Sequence, residues 1–350
     1  MERNKICIVG DVGVGEPVFN GQTAKTRDYI HYLKLRYGED NVQFVDTRDW
    51  KKYIVRKGII LIKSLLKSDI VLLSLGSNGR RIILPFVIFL KPFLNYKILF
   101  SIVGGSLMYN FDNEPNTVKY LKKTDANFVE TRMFEDFLIK EGITNVYYSP
   151  VFSKRESICN LNVLKKASSK PYKFCTYSRV CKEKGIGDAI KAIKKINNDN
   201  HKIVCQLDIY GIPQDDYKDE FYNLIKDCNE YIHVYPYLDD TNAISTLSEH
   251  YMMLFPTYYE GEGFPIAIIE CLKSALPVIA SNWHFNSEVV LDNFTGKIYE
   301  LSNPNALEFN IKWAIENPDI VLEMKHNCLE RSKLFEPNNA LNNIFEIIES

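Results

Sequence analysis

Two glutamates set among glycines form the part of this sequence best suited to chemistry. Glu262 and Glu270 lie eight positions apart in the segment F-P-T-Y-Y-E-G-E-G-F-P-I-A-I-I-E-C-L-K-S-A-L-P-V-I-A-S-N-W, which begins at Phe255. We expect a strand to end at Phe255 and Pro265 to occupy the first turn of a helix, where its fixed φ and missing N–H are tolerated. Backbone N–H groups near residues 263–267 would then be able to bind an anion.

The two carboxylates could recognise hydroxyl groups beside that anion, one on a sugar and the other on a ribose. A single glutamate at a helix start is more often an ordinary first-turn acid that the helix dipole favours. The pairing, the flanking glycines and the following P-V-I-A-S strand favour a binding site here instead.

Two cations follow the strand that we expect at residues 172–177. Arg179 and Lys184 belong to the stretch Y-S-R-V-C-K-E-K-G, and they could stabilise a departing phosphate as its charge develops. Solvated loop charges are the alternative, which would be preferred for an isolated K-E-K-G.

The spacing of glycines, aspartates and histidines disfavours other common chemistries. The stretch after Gly13 lacks the third glycine of G-x-G-x-x-G, and Gln22 stands where a phosphate-loop lysine belongs. No two aspartates lie two residues apart, and the six histidines show no metal-ligand spacing. We therefore expect neither a metal nor a cofactor.

Composition indicates a two-domain protein that does not bind nucleic acid. The chain has 350 residues, of which 46% are hydrophobic, so one small core is not expected. Its 43 basic and 44 acidic residues leave a net charge of −1, without the basic excess typical of nucleic-acid binders. Eight cysteines without a C-x-x-C pair, and no signal peptide at the start, predict reduced thiols in the cytoplasm.

Alternating apolar runs and amphipathic stretches predict an α/β protein with two Rossmann-like doubly wound domains facing across a cleft. We expect the domains to cover residues 1–165 and 166–336, with a polar linker near 153–170 and a helix over about 337–350 that could pack back onto the first. The strands are expected at 5–10, 42–46, 70–75, 97–103, 127–130, 146–148, 172–177, 204–210, 231–234, 251–255 and 277–280. The helices are expected at 24–37, 187–197, 217–228, 241–249 and 339–348.

The glutamate segment resembles the E-x7-E signature of family 4 glycosyltransferases of the GT-B fold, with Glu262 and Glu270 as its two acids. Arg179 and Lys184 resemble the cations that this family places on the donor diphosphate. The resemblance is specific over about residues 174–300 and only architectural before them. It implies a metal-independent, retaining transfer from a nucleotide diphosphate sugar, for which we expect UDP as the nucleotide.

The resemblance also implies a role for each candidate site residue. Glu262, Arg179 and Lys184 would be catalytic, Glu262 holding the donor sugar and the cations its diphosphate, while Glu270 would bind the ribose. The donor would be bound by Gly21, Gly104, Gly105, Tyr237, Gly263, Phe264, Pro265, Ile266 and Glu270. The acceptor would be bound by Lys25, Arg27, Glu130 and Arg132.

Several of these assignments have structural alternatives. Lys25 and Arg27 could equally belong to the exposed first turn of a capped helix. A structural role is as well supported for Glu130 and Arg132, and Tyr237 could simply pack in the core. The stretch near residues 104–106 lacks the histidine that many relatives carry there.

Basic and apolar residues alternate between positions 51 and 97. This stretch contains ten basic residues and one acid, Asp69, interleaved with runs such as I-I-L-P-F-V-I-F-L. The combination favours contact with an anionic membrane surface, here the inner face of the cell membrane. Burial in the core is the alternative, and it suits residues 70–75 and 98–103 better than residues 82–93.

The sequence therefore predicts a cytoplasmic glycosyltransferase, peripheral to the membrane, that acts on a lipid-linked or glycan acceptor in cell-surface polysaccharide assembly. A hydrolase or epimerase of nucleotide sugars is one alternative. A non-catalytic glycan- or nucleotide-binding partner of an assembly complex is another.

Overall fold

The chain folds into two compact units, Met1–Val151 with Ala340–Ser350, and Phe152–Asn339. The computed structural model describes residues 4–15, 21–103, 106–158, 164, 170–236, 238 and 241–350. The units divide earlier than residue 165. The side chain of Lys273, in the second unit, donates hydrogen bonds to the carbonyls of Ser153 and Arg155, and this ties the start of the expected linker to that unit.

The first unit contains a parallel sheet of six strands. In chain order these are β1 (Ile6–Gly10), β2 (Val42–Asp46), β3 (Ile70–Leu75), β4 (Lys97–Ile102), β5 (Ala126–Val129) and β6 (Val146–Tyr148). They lie in the order β2-β1-β3-β4-β5-β6 and pair in parallel throughout. The strand order reverses between β1 and β3, which is where doubly wound sheets bind ligands.

The helices of the first unit begin with α1, which follows β1, and end with a carboxy-terminal helix that packs on this unit. Asn343 of that helix donates to the carbonyl of Tyr148, and Arg36 of α1 pairs with Glu349. The helices are α1 (Gly21–Tyr37), α2 (Ile54–Leu65), α3 (Ser77–Leu94), α4 (Ser106–Tyr109), α5 (Pro115–Leu121), α6 (Arg132–Lys140) and α15 (Asn342–Glu349).

One hydrophobic cluster covers a single face of this sheet. Leu61 and Leu65 of α2 join Ile83, Leu84 and Val87 of α3 in that cluster, together with residues of α5 and α6. Right-handed crossovers from β2 to β3 and from β3 to β4 place α2 and α3 on the same side of the sheet. α2 and α3 are therefore neighbours on one face.

An ion pair is buried beneath α3. Arg80 is 1% exposed, and its guanidinium donates two hydrogen bonds to the carboxylate of Glu114, at 2.9 and 3.1 Å. Thr117 donates a third at 2.9 Å. Burial opposes the charge of Glu114, yet these hydrogen bonds outweigh it and hold its pKa below the ordinary value. Arg80 is thus a core residue and is not available to a surface.

The second unit repeats the architecture with a second six-stranded parallel sheet. Its strands are β7 (Tyr172–Tyr177), β8 (Cys205–Tyr210), β9 (Ile232–Tyr235), β10 (Met252–Phe255), β11 (Val278–Ser281) and β12 (Gly296–Tyr299). They lie in the order β12-β11-β10-β7-β8-β9, so the order reverses between β7 and β10. The predicted α/β class with two doubly wound sheets is confirmed.

Helices of the second unit include three elements that the sequence pattern did not predict separately: α12, α13 and the short α11. β12 was also missed, because its first residues resemble a turn. The helices are α7 (Ile186–Asp199), α8 (Lys218–Ile225), α9 (Ala243–Ser248), α10 (Ile266–Lys273), α11 (Asn286–Val289), α12 (Ala306–Glu316), α13 (Pro318–Ser332) and α14 (Pro337–Ala340), the last crossing the boundary between the units.

Lys325 of α13 is a buried cation in the second unit. Its side chain is 4% exposed and donates one hydrogen bond, 2.9 Å long, to the carbonyl of His250. Burial lowers the pKa of Lys325 from 10.5 to about 8. Between these two values the unfolded chain keeps the proton that the folded chain has released, so this residue makes folding more favourable as the pH rises.

We expect Lys325→Met to stabilise the protein at pH 7, where the wild type buries an ammonium group. The gain should be about 1–3 kcal/mol, reduced by the lost hydrogen bond, and it should shrink as the pH rises from 8 toward 10. Urea unfolding at several pH values measures this difference, with exposed Lys333→Met as the control. A stability difference between Lys325→Met and wild type that does not change with pH would refute the assignment.

Candidate active site

A cavity of about 570 Å³ opens at the carboxyl edge of the second sheet. It lies where the strand order reverses, because β7 and β10 both end at it through Tyr177 and Phe255, and α10 begins there. Ligands of doubly wound sheets bind at this position. The cavity is lined by Tyr177, Ser178, Arg179, Lys184, Tyr210, Gly211, Ile212, Pro236, Phe255, Glu262, Phe264, Pro265, Ile266, Ala267 and Glu270.

Glu262 and Lys184, which are 78 positions apart, meet in this cavity. The ammonium of Lys184 lies 2.5 Å from Oε2 of Glu262, and both side chains are about nine-tenths buried. Thr257 donates a second hydrogen bond, 2.9 Å long, to the same oxygen. Thr257 lies just after β10 and was not singled out from the sequence. It helps to fix the carboxylate orientation.

Local backbone geometry places Lys184. The residue ends a 3₁₀ turn, Lys182–Lys184, and Gly185 follows with φ +69°. A Cβ built on Gly185 would lie 2.1 Å from the carbonyl oxygen of Pro256, so only glycine allows the turn to pack this closely against the end of β10. The glycine of K-E-K-G therefore positions the lysine.

Arg179 and Lys184 share one aromatic neighbour, Tyr259. The Arg179 guanidinium lies 5.1 Å from the centre of the Tyr259 ring, and the Lys184 ammonium lies 5.4 Å from it. The indole N–H of Trp283 donates to the Tyr259 carbonyl at 2.9 Å, which anchors the loop. Two cations therefore contact one aromatic ring beside the cavity. This arrangement is suited to binding a multiply charged anion.

Glu270 is buried and paired with Arg155, a residue of the polar stretch expected to be a linker. Arg155 donates to Oε2 of Glu270 at 2.5 Å, and Ser153 donates to Oε1 at 3.4 Å. The same guanidinium donates to the Tyr177 hydroxyl at 3.3 Å. Burial, and then the charge of Glu270, raise the pKa of Tyr177. Nothing in the polar stretch around Arg155 indicated this contact, since it depends on the path of the chain.

The amino terminus of α10 differs from its predicted form by one position. Pro265 is the residue before the helix, with φ −82° and ψ 100°, and its carbonyl accepts from the amides of Ile268 and Ile269. Pro265 is therefore not the first helical residue. Within the described part of the chain, no hydrogen bond is donated by the backbone amides of Gly263, Phe264, Ile266 and Ala267. The amides of Phe264, Ile266 and Ala267, which line the cavity, are available to an anion there.

Lys25 and Glu130, expected at an acceptor, form an ion pair within the first unit. The Lys25 ammonium lies 2.7 Å from Oε1 of Glu130, and both side chains are largely buried. Arg27 donates to the carbonyl of Val12 at 2.7 Å and to that of Gly13, so it holds the loop after β1. These three residues have structural partners, and their acceptor role stays a prediction.

The remaining predicted residues are dispersed. Arg132 is exposed, lies 2.6 Å from Glu135 and stacks over the Tyr148 ring at 4.1 Å. Gly21 begins α1, and a Cβ there would meet nothing within 4 Å. Gly104, Gly105 and Tyr237 lie outside the described residues.

A second cavity, of about 630 Å³, lies at the carboxyl edge of the first sheet and was not predicted from the sequence. Asp11, after β1, accepts from Arg48 at 2.8 Å and from Thr23 at 3.0 Å. Trp50 and Lys51 line the same cavity. The described residues contain no group of three histidine, cysteine or acidic side chains placed to hold a metal ion.

One protein-family model matches the unit that carries the first cavity. Residues 163–335 match the family model described as Glycosyl transferases group 1, which covers just under half of the chain. An uncharacterized glycosyltransferase of Methanocaldococcus jannaschii, MJ1069, is 24% identical over 250 residues, or 67% of this chain and 63% of that protein. The D-rhamnosyltransferase WbpZ of Pseudomonas aeruginosa is 27% identical over 101 residues, 29% of this chain and 26% of its own. The chain thus spans less than two thirds of these curated relatives.

Solved structures with the same architecture cover nearly the whole chain. HepE of Anabaena, in complex with UDP, has a TM-score of 0.72 at 13% identity over 99% of both chains. A glycosyltransferase from Rickettsia africae has a TM-score of 0.71 at 16% identity, over 100% of this chain and 98% of its own. Sucrose-phosphate synthase from Thermosynechococcus elongatus has a TM-score of 0.69 at 16% identity, over 99% and 98%. The GT-B fold expected from the sequence is confirmed.

Proposed function

We propose that this protein is a retaining glycosyltransferase that moves a sugar from a nucleotide diphosphate sugar to a hydroxyl group, without a metal or a cofactor. The observation that supports this best is the cluster of Lys184, Glu262 and Arg179 beside the amino terminus of α10. The match of this unit to Glycosyl transferases group 1 supports the same activity. The UDP in the HepE structure supports a UDP-linked donor.

The diphosphate would be bound by cations and backbone amides together. Lys184, Arg179 and the amides of Phe264, Ile266 and Ala267 border one cavity, so each can interact with a phosphate oxygen. The leaving diphosphate gains negative charge as the glycosidic bond breaks, and donors already in place stabilise that charge without reorganising. This positioning accounts for the transfer, because the departing phosphate oxygen can accept the acceptor's proton on the same face.

The contact between Lys184 and Glu262 is compatible with both of their proposed roles. An ammonium group has three N–H donors, and a carboxylate can accept about four hydrogen bonds. Lys184 can therefore donate a hydrogen bond to a phosphate while it remains bonded to Oε2 of Glu262. The other carboxylate oxygen, Oε1, can accept from hydroxyl groups of the donor sugar. Removing either partner would leave the other charge largely buried without its counter-charge.

Glu270 would bind the ribose of the donor. Its carboxylate borders the cavity and is oriented by Arg155 and Ser153. A carboxylate can accept about four hydrogen bonds, so Glu270 can accept from ribose hydroxyls as well as from Arg155 and Ser153.

Glu270→Gln should weaken UDP binding about tenfold, the cost of weakening a hydrogen bond to a charged group. Titration calorimetry with UDP and with 2′,3′-dideoxy-UDP tests this directly. The substitution should have little effect on the dideoxy nucleotide, which lacks the hydroxyls. Exposed Glu260→Gln, from the same segment, is the control. Equal losses for both nucleotides in Glu270→Gln would exclude the ribose contact.

The acceptor is proposed to be a lipid-linked or glycan hydroxyl in cell-surface polysaccharide assembly at the cytoplasmic side of the membrane. The cavity of the first unit supports a polar acceptor, because Asp11, Trp50 and Lys51 combine a carboxylate, an aromatic ring and a cation there.

A screen of UDP-, GDP- and other nucleotide sugars for thermal stabilisation would identify the donor. A ligand at 100 times its dissociation constant adds about 2.7 kcal/mol to the free energy of unfolding. The donor selected in this way is then incubated with lipid-linked and oligosaccharide acceptors, and the products are analysed by mass spectrometry. Free sugar without any transfer product would favour a hydrolase, and an isomerised donor would favour an epimerase. No stabilisation by any nucleotide sugar would contradict the proposal.

A further inference from the structure

Two helices of the first unit carry apolar side chains on their solvent-exposed faces. Four exposed apolar residues of α2 and of the turn after it are spaced by four, three and four positions, and so are four of α3, so each set of four forms one stripe along its helix. We call these two stripes the apolar surface. It consists of Val55, Ile59, Ile62, Leu66, Ile82, Phe86, Phe89 and Phe93.

The apolar surface is not required by the core of the unit. Leu61 and Leu65 of α2, and Ile83 and Val87 of α3, already fill the cluster against the sheet. Both helices are therefore apolar on two sides, of which only one is covered. Phe89 is 68% exposed, and contiguous apolar patches of this kind mark contact sites on soluble domains.

Exposed cations accompany the apolar surface. Lys63 and Lys67 flank its middle, and Arg81 extends from the start of α3 with its side chain 61% exposed. Between residues 51 and 97 the only acid is Asp69. The exposed cations are Lys51, Lys52, Arg56, Lys63, Lys67 and Arg81.

Four of the ten basic residues in this stretch do not contribute to the surface, and one of them, Lys97 at the start of β4, is only partly exposed. Arg80 is buried in an ion pair with Glu114, and Lys91 forms an ion pair with Asp125 at 2.7 Å. The Lys57 ammonium donates to backbone carbonyls and is half-buried. The exposed charge is smaller than the sequence count suggests, yet it remains strongly positive.

The apolar surface borders the cavity at the carboxyl edge of the first sheet. Lys51 and Lys52, just before α2, line that cavity together with Ile82 of α3. Because both helices lie on one face of the sheet, a flat partner on the apolar surface would meet the rim of the cavity as well.

We propose that the apolar surface docks the first unit onto a bilayer that contains anionic lipids, with the phenylalanine and isoleucine side chains inserted among the headgroups. A basic amphipathic surface binds lipid by combined burial and charge attraction, at about 1 kcal/mol per cation near the headgroups. A second copy of this chain fits less well, since it would bring two sets of cations together. None of the helices formed by the described residues meets the length and apolarity that a bilayer-spanning segment requires.

Co-sedimentation of the full chain with vesicles tests the docking. We expect the partition coefficient onto phosphatidylcholine vesicles that contain anionic phosphatidylglycerol to be at least about tenfold higher than onto pure phosphatidylcholine, since each cation near the headgroups contributes about 1 kcal/mol. It should fall when salt rises to about 0.5 M, because the charges are exposed. Equal partition onto both vesicle types would overturn the proposal.

A matched pair of variants distinguishes docking through the apolar surface from nonspecific adsorption to vesicles. Phe89→Glu should lower the partition onto anionic vesicles by about tenfold or more, since one aromatic contact is replaced by a like charge. Phe309→Glu in the second unit, where the phenylalanine is equally exposed at 68%, should leave the partition unchanged. Both side chains are exposed, so neither variant should lose its fold, and thermal unfolding checks this.

Equal partition of the two variants would refute the docking role of the apolar surface. If light scattering shows that the wild type is a dimer and that Phe89→Glu dissociates it, the partner of the apolar surface is a second copy of the chain and not a bilayer. Stabilisation by a nucleotide sugar is measured without vesicles. A failure of the donor proposal is therefore distinguishable from a failure of this one.

Discussion

Replacing Lys184 with alanine should lower the rate of sugar transfer by about 100-fold or more, the typical effect of removing one preorganised donor from a developing oxyanion. Lys184 is the buried cation nearest to Glu262, and α10 supplies backbone amides on the same cavity. Its removal withdraws charge from the leaving diphosphate and also leaves the carboxylate of Glu262 with Thr257 as its remaining neutral donor. Steady-state kinetics with the donor selected by stabilisation measure the loss, which should appear mainly in kcat.

Lys182→Ala is the matched control for this prediction. Lys182 lies in the same 3₁₀ turn, but its side chain is 66% exposed and its partner, Glu220, is a loose surface contact at 3.8 Å. We expect transfer by Lys182→Ala to stay within about twofold of wild type, because an exposed pair contributes little. If the two variants have the same rate while both remain folded, the catalytic assignment of Lys184 is wrong.

Glu114→Gln should lower the free energy of unfolding by about 3–5 kcal/mol, because it leaves the guanidinium of Arg80 buried without a counter-charge. Arg80 and Glu114 have side chains that are 1% and 5% exposed, so solvent cannot replace the lost partner. Urea unfolding followed by circular dichroism measures the change. Glu39→Gln is the control, since Glu39 pairs with Lys34 on the surface with 75% of its side chain exposed. Its substitution should cost less than about 1 kcal/mol.

The effect of Glu114→Gln should also depend on pH. The pKa of Glu114 is lowered on folding from an ordinary value of 4.5, so its contribution to stability is fully present above that value. The contribution is lost as the pH falls through the lower folded-state pKa, and the gap between wild type and variant should narrow there. A gap that stays constant down to pH 3, with both proteins folded, would contradict a stabilising charge at this position.

Apolar runs and the polar or glycine residues between them predicted most strands of the two sheets. Strands β2, β3, β6 and β7 have the predicted bounds, because each is a short run rich in apolar and aromatic residues that is followed by a polar or glycine residue. β12 was missed because its four residues, two buried and two partly buried, follow a turn and have no distinctive periodicity. α12 and α13 were also missed, although both are amphipathic helices.

The candidate site was predicted in part, since it depends on both local and distant contacts. Glu262, Glu270 and the start of α10 are close in sequence, so their spacing alone placed them near one another. Arg155 lies 115 positions from Glu270, and its position in a polar stretch indicated a linker. Tyr259 lies within the quoted segment, but its contact with two cations depends on the turn that precedes α7.

Residue type and spacing determined the groups of the candidate site. These are a carboxylate pair and a helix amino terminus at one strand end of a parallel sheet, and two cations at another. The tertiary structure alone decided which of those groups meet and which charges reach solvent. Lys184 contacts Glu262 because β7 and β10 are adjacent in the sheet. Lys25 forms an ion pair with Glu130, which lies 105 positions away in the sequence. Arg80 and Arg81 are consecutive, yet one is buried and the other exposed, because successive residues of a helix point about 100° apart. Periodicity cannot distinguish the two sides of a helix that is apolar on both, and only packing shows which side remains uncovered.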